Sequence, residues 1–155
     1  MRHELRTEID IDAPPERVWA HLVDLPAWAA WNPFITSARG MPAVGERLTL
    51  RMQPPGRRAV TLRPTVTVVS EAAALEWLGR LGLPGVFDGR HHFDLVAVDG
   101  GTRLVQKESF RGVLVRPLRG SLDRHTRAGF EAMNDALRRR VLDAPASGPG
   151  AGGHP

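Results

Sequence analysis

Three polar side chains fall on faces that the surrounding pattern fills with apolar residues: His91, Gln106 and Glu108. In the stretch 86–98, alternate positions carry Phe87, Gly89, His91, Phe93, Leu95 and Ala97, while the positions between them carry Asp88, Arg90, His92 and Asp94. In 102–114 the same alternation sets Leu104, Gln106, Glu108, Phe110 and Gly112 against Arg103, Lys107, Ser109 and Arg111. Successive side chains of a strand point to opposite faces, so the first set of each stretch faces a core and the second faces water. A carboxylate on an inward face is costly unless it is paired or protonated. A histidine beside it could hold the shared proton, and such a pair could act as general acid and base on a carbonyl or hydroxyl group. Equally, the two could satisfy each other, reach solvent at a pocket mouth, or hydrogen-bond a ligand without chemistry.

Asp99-Gly100-Gly101 between the two stretches is a hairpin signal. Pairing Asp99 with Thr102 would set Phe93 opposite Glu108, Leu95 opposite Gln106 and His91 opposite Phe110, with His91 diagonal to Glu108. Other chemistries lack their residues. There is no cysteine, hence no thiolate nucleophile or zinc–thiolate site. His91 and His92 are on opposite faces of one strand and cannot share an ion, and there is no HExxH, so no metal is expected. The Gly-Gly pairs lack a phosphate-loop lysine and no serine sits in a nucleophile elbow, so no cofactor is expected either.

The elements that would position these side chains follow from periodicity. Leu5, Thr7, Ile9 and Ile11 alternate with Arg6, Glu8 and Asp10 as a half-buried strand, stopped by Pro14-Pro15. Two short helices follow: one with Val18, Trp19, Leu22 and Val23 on a stripe, the other opened by Pro26 and holding Trp28 and Trp31, ended by Asn32-Pro33. Strand patterns then run over 46–52, 59–70, 75–79, 86–98 and 102–114, with Pro64 marking an edge or bulge. No helical period interrupts them, which predicts an antiparallel meander. From Pro117, the residues Leu118, Leu122, Phe130, Met133, Leu137 and Val141 recur at helical spacing. The expected fold is α+β: a curved antiparallel sheet of about six to seven strands wrapped around a long C-terminal helix, with an apolar pocket between them. Trp28, Trp31, Phe34, Trp77, Phe87, Phe93, Phe110, Leu122, Phe130 and Met133 are its candidate lining beside His91, Gln106 and Glu108. Each of the aromatics could instead be plain core, as Trp19 is expected to be.

With 155 residues, 42% of them hydrophobic and 25% charged, the chain suits one globular domain over 1–143. The Gly/Pro-rich stretch 144–155 is expected to be disordered. Net charge is only +4, and the excess is local: 116–142 holds seven arginines against Asp123, Glu131 and Asp135. That basic helix carries no nucleic-acid motif, so no nucleic-acid partner is expected. The charged N-terminus is unlike a secretory signal and no apolar run is long enough to span a bilayer, which points to the cytoplasm.

Several segments resemble a known group. The run Ile9-Asp10-Ile11-Asp12-Ala13-Pro14 leading into Glu16-Arg17-Val18-Trp19, and Trp31-Asn32-Pro33-Phe34, resemble the opening of the START-like (SRPBCC, Bet v 1-like) superfamily. Gly85-Val86-Phe87-Asp88-Gly89-Arg90-His91-His92-Phe93, the segment from Gly101-Thr102 to Arg111-Gly112, and Thr126-Arg127-Ala128-Gly129-Phe130-Glu131-Ala132-Met133-Asn134 are similar to its bacterial polyketide cyclase/dehydrase and lipid-transport branch. The pieces occur in the family's order over 1–142. The resemblance implies a helix-grip fold and a hydrophobic small-molecule partner such as a lipid, polyketide or isoprenoid. A cyclase or dehydratase using Glu108 and His91 is the alternative it implies, because the superfamily holds both carriers and enzymes.

Overall fold

The computed structural model describes residues 2–145; most of the stretch expected to be a disordered tail, from 146 on, lies outside them. Strand β1 (Arg2–Ile11) leads through Ala13-Pro14 into helix α1 (Pro15–Val23), a 3₁₀ turn (Leu25–Ala27) and the single-turn helix α2 (Trp28–Trp31). Seven more strands follow: β2 (Ile35–Arg39), β3 (Thr49–Met52), β4 (Val60–Leu62), β5 (Thr65–Ser70), β6 (Ala74–Leu81), β7 (Phe87–Val98) and β8 (Gly101–Arg111). The chain closes with α3 (Val115–Ser121), a π turn (Leu122–Thr126) and α4 (Arg127–Asp143), which run on as one long C-terminal helix. This is the expected α+β helix-grip architecture.

The strands are antiparallel, in a five-stranded sheet ordered β1-β8-β7-β6-β5 and a three-stranded sheet ordered β2-β3-β4. Two expectations shift here. The stretch 59–70 is two strands in different sheets, because Pro64 has no N–H to donate to a ladder and the chain turns a corner there. The corner is held by Leu48 N–H to Pro64 O (2.8 Å) and Val66 N–H to Glu46 O (2.9 Å), so one continuous run of chain bridges both sheets. β2, with the sequence ITSAR, has too little alternation to be read as a strand; with the split at Pro64 it brings the strands to eight where six to seven were expected.

Phe130, Met133, Leu137 and Val141 of α4 are buried against the larger sheet and α1, as the helical spacing predicts. Leu118, placed on the same face by spacing, is 42% exposed, because the π turn rotates α3 relative to α4. Gly129 permits close packing of the helix on an aromatic ring. A Cβ there would lie 2.3 Å from Cδ2 of Phe34, so the Phe34 ring sits directly on the helix backbone. Phe34 in turn meets Phe130 edge-on at 5.7 Å. The end of α4 is capped from α1: Arg17 donates to the carbonyls of Val141 (2.7 Å) and Ala144.

Candidate functional site

The hairpin of β7 and β8 carries the polar pair. Its turn is Asp99-Gly100, with Gly100 in the left-handed region at φ 79°, so Val98 pairs with Gly101. This differs from the expected Asp99–Thr102 pairing: both leave a two-residue turn, but the turn is Asp99-Gly100 rather than Gly100-Gly101. The slip is by two residues, so every side chain keeps its face while its partner changes. His91 now stands directly opposite Glu108, Phe93 opposite Gln106, and Gly89 opposite Phe110.

His91 is 3% exposed, and its Nδ1 lies 3.2 Å from Oε2 of Glu108. A carboxylate only accepts, so Nδ1 carries the proton and, in the neutral ring, Nε2 carries the lone pair. That Nε2 is buried and has no hydrogen-bond partner among the described residues. The ring is fixed by aromatics: stacked on Trp77 at 4.9 Å and 14°, against Phe93 at 4.5 Å, and edge-on to Phe130 at 4.9 Å. Glu108 keeps its place because Gly89, its neighbour on β7, has no side chain. A Cβ there would lie 2.8 Å from Oε1.

The pair lies in the wall of a cleft whose other lining residues are Ile35, Met52, Leu62, Pro64, Trp77, Gly79, Arg80, Leu81, Phe87 and Gly89. Its free volume is about 40 Å³, enough for water but far below the roughly 300–1,000 Å³ of a typical ligand pocket. The cleft lies between the two sheets, whereas the sequence placed a pocket between sheet and helix. The reason is that side chains already fill the interval under the helix: Trp28, Phe34, Phe93, Phe130 and Met133 are each at most 1% exposed.

Of the candidate lining residues, the structure brings Trp77, Phe87, His91 and Glu108 together at the cleft. Trp28, Phe34, Phe93, Phe110, Phe130 and Met133 are in the buried core, and Trp31 and Leu122 pack half-buried against it. Gln106 is fully buried in a different polar contact, donating from Nε2 to Oδ1 of Asn134 (2.8 Å), whose Nδ2 donates to Thr7 Oγ1 (3.0 Å). This chain ties β8 to α4 and β1. Ile35, Met52, Leu62 and Pro64 of the cleft were missed, since only the fold of the small sheet over the large one brings them to His91. The alternation of Leu48, Leu50 and Met52 was the one available signal.

The outer face of the hairpin is a charge network. Glu76 accepts from Thr67 Oγ1 (2.8 Å) and Arg90 Nη1 (2.5 Å) and lies 2.9 Å from His92 Nδ1, while Asp94 lies 2.7 Å from both His92 Nε2 and Lys107 Nζ. Partial burial opposes ionisation of Glu76, yet the hydrogen bonds from Thr67, Arg90 and His92 outweigh it and hold its pKa below the ordinary value. Asp94 is likewise lowered: burial works against it, and Lys107 and His92 prevail. Among the described residues there is no cluster suited to hold a metal ion, and no helix long and apolar enough to cross a membrane.

A curved antiparallel sheet gripping a long C-terminal helix, with a cleft beside it, defines the START-like, Bet v 1-like class. Within that class the chain belongs to the family described as polyketide cyclase / dehydrase and lipid transport, which it matches over residues 2–142. No curated protein matches it. Among solved structures it is similar to TTHA0849 from Thermus thermophilus, with a TM-score of 0.75 and 21% identity over 93% of this chain and 100% of that one. The allergen Ara h 8.0201 superposes with a TM-score of 0.72 at 16% identity, covering 93% of this chain and 100% of the other. The Zhui aromatase/cyclase from Streptomyces sp. R1128 superposes with a TM-score of 0.71 at 16% identity, covering 92% and 94%. At these identities the likenesses speak to the fold. The family supports a ligand-binding or cyclase role without choosing between them.

Proposed function

We propose that this protein binds a hydrophobic small molecule, of lipid, polyketide or isoprenoid kind, in the cleft at His91 and Glu108. The observation that carries this reading is the buried, unpartnered Nε2 of His91, a residue in the wall of a cleft whose lining is mostly apolar beside Arg80 and Glu108. A buried acceptor without a partner is unfavourable by itself, and a ligand donor such as a hydroxyl would satisfy it. Trp77 and Phe87 supply flat apolar wall, and Glu108 fixes the tautomer that leaves Nε2 free to accept. The free volume is too small for such a ligand, so binding requires the half-exposed rim of Met52, Leu62, Leu81 and Phe87 to part. Native mass spectrometry of the purified protein tests this. A small-molecule adduct that vanishes on denaturation supports it. Unchanged mass after incubation with a panel of apolar hydroxylated compounds refutes it.

A second reading, a cyclase or dehydratase, rests on the same 3.2 Å contact. In it, Nε2 of His91 takes a proton from the substrate while Glu108 stabilises the resulting imidazolium. Glu108→Gln should then keep ligand affinity and lose turnover; equal turnover in the variant would refute the reading.

A further inference from the structure

We propose that the end of the molecule formed by the β6–β7 and β8–α3 turns docks on an anionic lipid surface. Ten large apolar side chains are more than a third exposed among the described residues, and five of them gather here: Leu81 (46%), Leu83 (75%), Val113 (75%), Leu114 (44%) and Leu118 (42%). They form one surface because the two turns are bonded to each other. Val113 N–H donates to Gly85 O (3.1 Å) and Leu114 N–H to Val86 O (3.2 Å). Gly112 makes the approach possible: it has φ 131°, and a Cβ there would lie 2.3 Å from Val86 O. The turns are thus a braced pair of apolar tips.

The charge around the tips is mainly positive: Asp88, which accepts from Gly85 N–H (3.3 Å), is offset by Arg80 (3.6 Å) and stands opposite Arg111. From Ser109 to Leu122 the chain has no acidic residue, and Arg111, Arg116 and Arg119 are all exposed. Arg57, on the loop between β3 and β4, reaches the end of α3 through Ser121 Oγ (3.4 Å). Arg119 has only a distant carboxylate, Asp123 at 4.0 Å. Val115 is the buried residue of α3, so the arginines and Leu118 project outward from the same short helix. Contiguous exposed apolar surface marks an interaction site. Apolar tips ringed by arginine match an interface with hydrocarbon below and anionic headgroups at its edge. The site stands whether or not the cleft beside it holds a ligand.

Co-sedimentation of the full chain with phosphatidylcholine vesicles, with and without phosphatidylglycerol, tests this. Binding is expected only to the phosphatidylglycerol vesicles and should be lost at high salt. Replacing Arg116 and Arg119 by Gln together should weaken it about thirtyfold, from the usual contribution of two cations near an anionic surface. Leu83→Asp combined with Val113→Asp, at exposed tips that bear no core contact, should weaken it by about tenfold or more with unchanged circular dichroism. Absence of binding to the anionic vesicles overturns the proposal, as does binding that the Leu83/Val113 variant leaves intact. A dimer in light scattering that the same variant splits, without vesicle binding, would instead assign the face to a second copy of the chain and overturn it too.

Discussion

Gly129→Ala should destabilise this protein even though alanine favours a helix. In an exposed helix the change gains about 1 kcal/mol. Here the added Cβ would stand 2.3, 2.4 and 2.8 Å from Cδ2, Cε2 and Cγ of Phe34, where ordinary contact begins near 3.4 Å. Relief requires the ring to retreat by about an ångström, and it has little room to do so. Its backbone is pinned by Asn32 Oδ1, which accepts from the N–H of Phe34 (3.0 Å) and of Ile35 (2.9 Å), and its far side meets Phe130. Overpacking of this kind costs about 1–3 kcal/mol, and the rigid neighbours put it at or above the top of that range. The net loss is about 2 kcal/mol after the helical gain, which for a domain of this size lowers Tm by about 4–8 °C. Urea denaturation should show a lower midpoint with unchanged slope. Equal or greater stability of the variant would refute the claim that Phe34 sits on the helix backbone.

Gly89→Ala should behave differently, because the atom it meets is the free end of Glu108, at 2.8 Å, and can rotate away. Thermal melting should change little, since strand alanine offsets the displacement by about 0.5–1 kcal/mol, while retention of a cleft ligand in native mass spectrometry falls; retention equal to wild type would dissociate Glu108 from binding. Thr102→Val should cost about 1–3 kcal/mol by denaturant titration, because the fully buried Thr102 hydroxyl donates to Ala13 O at 2.7 Å and its loss strands that carbonyl. The outer network should make stability fall in acid. Glu76 and Asp94 have depressed pKa values, so their contribution is complete above the ordinary carboxylate values of 4.5 and 3.8 and disappears as pH falls through the depressed ones. In a melting series from neutral to acid pH, Glu76→Gln should flatten that descent.

The face of each long strand was legible because side-chain alternation is a property of the backbone alone. It set His91 and Glu108 inward without knowledge of any partner strand. Register was not legible to the same degree. Asp99-Gly100 and Gly100-Gly101 both suit a two-residue turn, and only the rest of the ladder selects one. The split at Pro64 was half legible: proline forbids a central ladder position, but whether the chain bulges or leaves for a second sheet depends on what residues 45–48 do across from it. The helix stripe failed at Leu118 for a local reason. A π turn inserts an extra residue into the period, and nothing in Leu122–Thr126 announces it.

The location of the cleft follows from where the fold runs out of large side chains. Under the helix, Trp28, Phe34, Phe93 and Phe130 are fully buried, and the Gln106–Asn134–Thr7 chain ties β8 to α4 and β1. Away from the helix, β6 and β7 carry Gly79 and Gly89 on the face toward the small sheet, and two missing side chains leave the space that the Glu108 carboxylate and the cleft share. A sequence reading that asks which strand is apolar points to the helix, where the bulk is. Asking instead where two glycines face the same interior as a carboxylate points to Gly79, Gly89 and Glu108. The free volume and the unpartnered nitrogen of His91 are found at that place.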